Sequence, residues 1–417
     1  MRHILIRTAA AVFGATILLA GCSPFVEHVS TPTSSPSPAA PTAAPGPLRG
    51  PEPAVVTPLV ASVLAAPVPV PATDGKVHLA YELLLLNVLS HDVTLTSATV
   101  LDRDVALQKL TGEDLSHRTR VLGNPKPTTQ VGPAQTVAIW MDVALDKGAE
   151  IPSRLTHVIS LANPQPETPL FPSTMTVNVA PVTVQTRKPV AISPPLSGPR
   201  WVNGDGCCGT SAHRMALNPI NGQLWAAERY AIDYVQLDSK GKLFTGDGAE
   251  LEGFPYFGAD IHAVADGPVV AVRDGLPEQV PGKNPTGLPL DQYAGNHIVQ
   301  DLGDGNYALY AHIKTGTIKV KPGDRLKSGQ VIGSVGNTGN STAPHLHFHV
   351  MSTPDPLRSD GLPFVFTNFR LDARIANDAA LDNIFDARPA PLQPGFAARD
   401  ETDVMPLELD VMTYAGR

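Results

Sequence analysis

The stretch Ala343-Pro344-His345-Leu346-His347-Phe348-His349-Val350 alternates imidazoles with apolar groups. In a strand, residues two apart share a face, so His345, His347 and His349 point one way and Leu346, Phe348 and Val350 the other. The apolar face belongs to a core. The imidazole face needs hydrogen-bond partners or a metal once it is buried, because an unpaired polar group is costly away from water. The preceding Gly336-Asn337-Thr338-Gly339-Asn340-Ser341 is turn chemistry. It is no phosphate loop, since no Gly-Lys-Ser/Thr follows it.

A hydrolytic zinc site takes three protein ligands from His and carboxylate and keeps a fourth position open for water. Three residues elsewhere can complete the cluster. Asp233 lies in Arg229-Tyr230-Ala231-Ile232-Asp233-Tyr234-Val235, a strand-like run where a carboxylate is out of place unless it binds something. His213 begins His213-Arg214, just beyond a Gly/Cys-rich turn. His312 ends the strand-like Tyr307-Ala308-Leu309-Tyr310-Ala311-His312, ahead of the hairpin-like Val320-Lys321-Pro322-Gly323-Asp324.

Further motifs keep a fixed order around these residues: Ala263-Val264-Ala265-Asp266-Gly267-Pro268, Gly295-Asn296-His297-Ile298, Tyr310-Ala311-His312, Lys321-Pro322-Gly323-Asp324, Gly329-Gln330-Val331-Ile332-Gly333 and His345-Leu346-His347-Phe348. In that order they resemble the lysostaphin/LytM-type zinc metalloendopeptidases over roughly residues 210 to 355. The resemblance implies an antiparallel β-sheet metallopeptidase domain, one Zn2+ per chain and hydrolysis of peptide bonds in peptidoglycan. It implies His213, Asp233 and His347 as zinc ligands. His345 and His312 would flank the bound water and the scissile carbonyl, as acid/base and oxyanion-stabilising groups.

Two departures stand out. The family usually sets its first His and Asp four positions apart, whereas here 233 − 213 = 20. The extra residues include Asn221-Gly222, a hairpin turn signal that could return Asp233 beside His213. His262 is the rival for first ligand and Asp260 a weaker one. The second departure is His349, where many relatives carry an acid; it is read as support for a ligand or as groove wall. A non-catalytic relative that binds peptidoglycan and regulates an amidase is the alternative function. Such relatives typically lack ligands that are present here.

Outward from the motifs, the expected organisation is mostly β. Residues 1–21 read as a lipoprotein signal peptide: Arg2 and Arg7, an apolar run from Ala9 to Ala20, then Leu19-Ala20-Gly21-Cys22. The run is shorter than the roughly 20 residues that cross a bilayer. Lipid on Cys22 would anchor the chain in the cell envelope, facing the periplasm or the outside. Residues 22–55 are a Pro/Ala/Ser/Thr-rich tether. Residues 56–190, with strand-like runs at 76–88, 92–101, 135–145, 155–161 and 175–184, suggest an immunoglobulin-like β-sandwich. Residues 191–370 hold the peptidase domain, and 371–417 a tail with a docked edge strand over Leu407 to Val411.

Net charge is −8, or −8 − 2 = −10 without Arg2 and Arg7, and no basic patch interrupts it. Nucleic acid is therefore no partner. Cys207 and Cys208 are neighbours, which leaves free thiols, an unusual vicinal disulfide or a contact with the metal open. His78, His91, His117 and His157 read as surface or locally bonded groups, and His297 as structural. Oligomeric state is not readable.

Overall fold

Strand Lys76–Asn87 is buried on both faces over most of its length, and each face has a different use. The computed structural model describes residues 54–415, of which those from Pro58 onward form one compact unit. The expected signal peptide, Cys22 and nearly all of the tether lie outside the described residues. Leu79, Tyr81, Leu83 and Leu85 turn into a core closed by two antiparallel sheets. One runs Leu59–Val63, Lys76–Asn87, Thr136–Asp146, Thr119–Val121; the other runs Thr174–Thr183, Arg154–Ala162, Val93–Asp102, Val105–Thr111. Leu95, Val100, Ile159 and Leu161 of the second sheet fill the same core. All five runs marked by β-branched and apolar periodicity form strands.

The opposite face of Lys76–Asn87 carries His78, Ala80 and Glu82, and it is buried by the second half of the chain. Ala80 packs with Tyr230, Val365, Cys207 and Cys208. The two cysteines are joined to each other in a disulfide. Polar ties complete this junction: Thr73 Oγ1 donates to Asp410 Oδ2 at 2.5 Å, and Arg374 pairs with the same carboxylate at 2.6 Å.

The second half is built on a mixed-length antiparallel sheet in the order Arg325–Leu326, Gly267–Arg273, His297–Gly303, Asn306–Ala311, Leu346–Met351, Ile232–Gln236, Gly198–Gly204, Asp410–Tyr414, Phe369–Arg374, Arg399–Glu401. Phe348, on the apolar face of the histidine strand Leu346–Met351, sits with ring centroids 5.4 Å from both Tyr310 and Phe364. Burying such a ring is worth about 1.5–3 kcal/mol, which fixes which face of the strand turns inward.

The tail differs from its expectation. The C-terminal strand is Asp410–Tyr414, and it lies between Gly198–Gly204 and Phe369–Arg374 rather than at an edge. Period-2 alternation reports which face of a strand is covered and says nothing of how many neighbours bond to its backbone. A tail beginning at 371 would also divide the strand Phe369–Arg374.

Candidate metal centre

Asp233 and His347 stand directly opposite each other on adjacent antiparallel strands. On the other side of the histidine strand His347 pairs with Ala311, which ends Asn306–Ala311 and delivers His312 beside the same spot. The backbone of His312 is left-handed, with φ 59. It is held there by its N–H donating to Ala294 O at 3.1 Å and its Nδ1 to Thr338 O at 2.7 Å. His345 immediately precedes the strand and bridges to Gly336.

His213 arrives on the short helix Ala212–Met215, capped by Ser211, whose Oγ accepts from Arg214 N. The insertion that follows folds as the hairpin Asn218–Ile220/Gln223–Trp225. Asn221 and Gly222 form its two-residue turn, both with positive φ, as that turn type requires. The chain then returns to Asp233 beside His213, so the long spacing is compatible with one site.

Asp233 Oδ1 lies 2.9 Å from His347 Nδ1, 3.3 Å from His345 Nε2 and 3.4 Å from His213 Nε2. Two groups of potential ligand atoms share His347: His213 with Asp233, and His312 with His345; within each group the atoms lie within 4.8 Å of one another. All five side chains are buried. Neither ring nitrogen of His213 has a hydrogen-bond partner, and neither do Asp233 Oδ2 and His345 Nε2. Such orphans cost about 1–3 kcal/mol each, and a divalent cation would satisfy one ring nitrogen of His213 together with Asp233 Oδ2. The donor set therefore fits a metal.

Electrostatics separate the histidines. Burial alone would raise the Asp233 carboxyl, but His345 and His213 hold it well below the usual carboxylate range. Burial lowers His213, and Asp233 overrides it, raising the imidazole to about 10. His345 moves up for the same reason. His312 is driven well below its ordinary value by burial and by its neighbours His345 and His347. His349, fully buried, sets its Nδ1 2.9 Å from His347 Nε2 and lines the small cavity in front of His347. It thus touches His347 and forms part of the cavity wall at once.

The rivals fall away from the site. His262 sits in a separate two-stranded sheet, Asp260–His262 with Val331–Ser334, and its Nδ1 bonds to Gly329 O; Asp260 is exposed. Neither cysteine joins the groups around His347; Cys208 instead lies near His78 and Asp142. His78, His91, His117 and His157 are all hydrogen-bonded, although to partners far along the chain, such as Asp142 for His78 and Tyr81 for His157. His297 bonds to Gly295 O and lines the groove described next.

Two acidic residues near the site carry no sequence pattern. Glu228 lines the small cavity with His213 and His347, and Asp205 Oδ1 accepts from Ala212 N at the start of the His213 helix. A groove of about 1000 Å³ borders the cavity through Ala294, Pro356 and Leu357. The inserted hairpin contributes Ile220, Gln223 and Trp225 to its wall.

A buried His/Asp cluster with unpaired ligand atoms, set on an antiparallel sheet and opening on a groove, is a candidate metal centre. Residues 254–359 match the Peptidase family M23 model. The chain thus carries an M23 peptidase domain of LytM type, homologous to the lysostaphin group and the Shy endopeptidases. Over 118 residues it is 36% identical to the glycyl-glycine endopeptidase ALE-1 of Staphylococcus capitis, covering 28% of this chain and 30% of that one. It is 35% identical over 100 residues to the peptidoglycan DD-endopeptidase ShyB of Vibrio cholerae, covering 24% and 19%. Among solved structures, the catalytic domain of lysostaphin from Staphylococcus simulans is 23% identical with a TM-score of 0.22, covering 39% of this chain and 88% of that one. The chain spans less than a third of the length of these curated relatives. His312, His345 and His347 fall inside the family match; His213 and Asp233 precede it.

Proposed function

We propose that the chain is a zinc-dependent metalloendopeptidase that hydrolyses peptide bonds in peptidoglycan, and that lipid on Cys22 holds it in the cell envelope. The observation that carries the catalytic part is the cross-strand pair Asp233–His347, with Nε2 of His213, which has no hydrogen-bond partner, at 3.4 Å from the same carboxylate. The lipid rests on Leu19-Ala20-Gly21-Cys22 alone. Among the described residues no helix is long and apolar enough to cross a membrane.

His213, Asp233 and His347 would hold the zinc. With zinc bound, two neutral imidazoles and one carboxylate would leave the site at a net charge of about +1, able to lower the pKa of a water towards about 7 and to polarise an amide carbonyl. The flanking histidines then divide the proton work through their fixed tautomers. His312 Nδ1 donates to Thr338 O, which can only accept, so its neutral ring presents a lone pair at Nε2. This ring is the proton acceptor. His345 Nδ1 donates to Ala343 O at 2.8 Å, which leaves Nε2 facing the cluster 3.3 Å from Asp233 Oδ1, so the doubly protonated ring would offer its proton from Nε2. That proton is available to the oxyanion or the leaving amine.

The test is zinc content by mass spectrometry on the purified protein, with peptidoglycan digestion on the same samples. About one zinc per chain, lost together with digestion in His347→Ala, is expected. His345→Ala and His312→Ala should keep zinc and lose turnover. Normal digestion by His347→Ala overturns the reading, and a metal-free wild type that still binds peptidoglycan points to the regulator.

A further inference from the structure

Glu82 is fully buried in strand Lys76–Asn87 of the first half, yet both its oxygens face arginines of the second half. Arg214 Nη1 donates to Oε1 at 2.5 Å. Arg229 Nε reaches both oxygens, at 3.0 and 3.1 Å, and its Nη2 donates to Oε2 at 2.7 Å. Burial alone would raise the Glu82 carboxyl; Arg229 and Arg214 keep it lowered and ionised. A buried carboxylate held by two guanidiniums through bidentate bonds is fixed in position as few side chains are.

The two arginines mark the ends of the inserted segment. Arg214 directly follows His213, and its Nη2 also donates to Met141 O of the first half at 3.2 Å. The helix Ala212–Met215 is therefore pinned by its second arm. His213 has no hydrogen bond of its own to set its ring. Arg229 ends the segment four residues before Asp233, and its Nη1 donates to Gly361 O at 3.1 Å. Gly361 belongs to a strand that pairs with the histidine strand at Met351. A Cβ at Gly361 would meet Ala227 O at 2.6 Å, so backbone and segment are pressed together there.

We infer that Glu82 is a positioning residue for the metal centre: through Arg214 and Arg229 it sets both ends of the segment that carries His213 to Asp233. The first half of the chain is then part of the metal site's scaffold. This rests on the zinc reading above. The long His213–Asp233 spacing is the structural counterpart, since a segment that leaves the sheet and returns needs an external anchor to hold its first ligand.

The experiment uses the full chain and measures zinc affinity by competition with a chromogenic chelator, beside thermal unfolding of the metal-free forms. Supporting partners of metal ligands typically change affinity 10- to 100-fold when removed, so Glu82→Gln should raise the zinc Kd at least tenfold. Tyr81→Phe is the control. It sits one residue away on the opposite face and loses only the hydroxyl bond to His157 Nε2 at 2.8 Å. It should lose stability and keep zinc affinity. If Glu82→Gln does not fold, Arg214→Lys keeps the charge but cannot reach Glu82 and Met141 together, and the same direction is expected. Unchanged zinc affinity in a folded Glu82→Gln or in Arg214→Lys overturns the inference while leaving the peptidase reading intact. A wild type that binds no zinc overturns both.

Discussion

Asp233→Asn changes one oxygen for an amide and decides which of the two overlapping ligand groups takes the metal. Asp233 Oδ1 is within 2.9–3.4 Å of three imidazole nitrogens, so its carboxylate is the negative charge placed among them. A zinc ion in the His213–Asp233–His347 group needs that charge. One in the His312–His345–His347 group does not touch it as a ligand. Wild-type protein at free zinc a hundredfold above Kd should gain about 2.7 kcal/mol of stability over the chelated form. In Asp233→Asn the gain should fall below about 0.5 kcal/mol at the same zinc concentration, since the ratio of free zinc to Kd then falls near or below one. The assay is urea unfolding at pH 7.5 with zinc or with EDTA, each variant compared with its own metal-free form. This internal reference removes any cost of the substitution in the metal-free fold. His312→Ala should keep the full gain. A full gain in Asp233→Asn combined with none in His312→Ala would refute the ligand assignment and move the metal to the three histidines.

Three other outcomes follow from single contacts. His78 is buried between Asp142 and Asp74, and burial, which lowers it, is outweighed by these carboxylates, raising it to about 9. Its folded pKa exceeds the unfolded 6.5, so it contributes at most about 3 kcal/mol below pH 6.5. That contribution is lost as the pH rises through 9, and His78→Gln should flatten the decline of urea stability over this window. His312→Gly should be more stable than His312→Ala by about 1 kcal/mol in thermal unfolding, because φ 59 suits glycine and strains a Cβ; a more stable alanine form would contradict the strained backbone. Trp225→Ala, in the hairpin wall of the groove, should raise KM on peptidoglycan several-fold with kcat nearly unchanged. An equal loss in kcat would instead tie the hairpin to the chemistry.

The His/Asp cluster was legible because its signal is local. Three imidazoles at period 2, and one carboxylate in an apolar strand, violate patterns that burial otherwise enforces. Glu82 obeys the same rule. It interrupts Ala80-Tyr81-Glu82-Leu83-Leu84-Leu85-Leu86 as Asp233 interrupts its own run, yet its partners Arg214 and Arg229 lie far along the chain and no spacing announces them. That His213 and not His262 stands beside Asp233 was equally non-local, since it depends on where the hairpin returns the chain. The interior place of Asp410–Tyr414 was hidden because backbone pairing leaves no mark on side-chain alternation.

That C-terminal strand also sets an order of assembly. Gly198–Gly204, which flanks the aspartate strand, takes Asp410–Tyr414 as its other neighbour, and a ribosome delivers the second strand long after the first. Until then Gly198–Gly204 presents an open row of donors and acceptors, the kind of margin on which foreign strands add. A polypeptide cut short before Asp410 would keep every side chain of the His/Asp cluster and yet leave this margin uncovered. A stop codon there should therefore show itself first as inclusion bodies or proteolysis, and only secondarily as a catalytic defect.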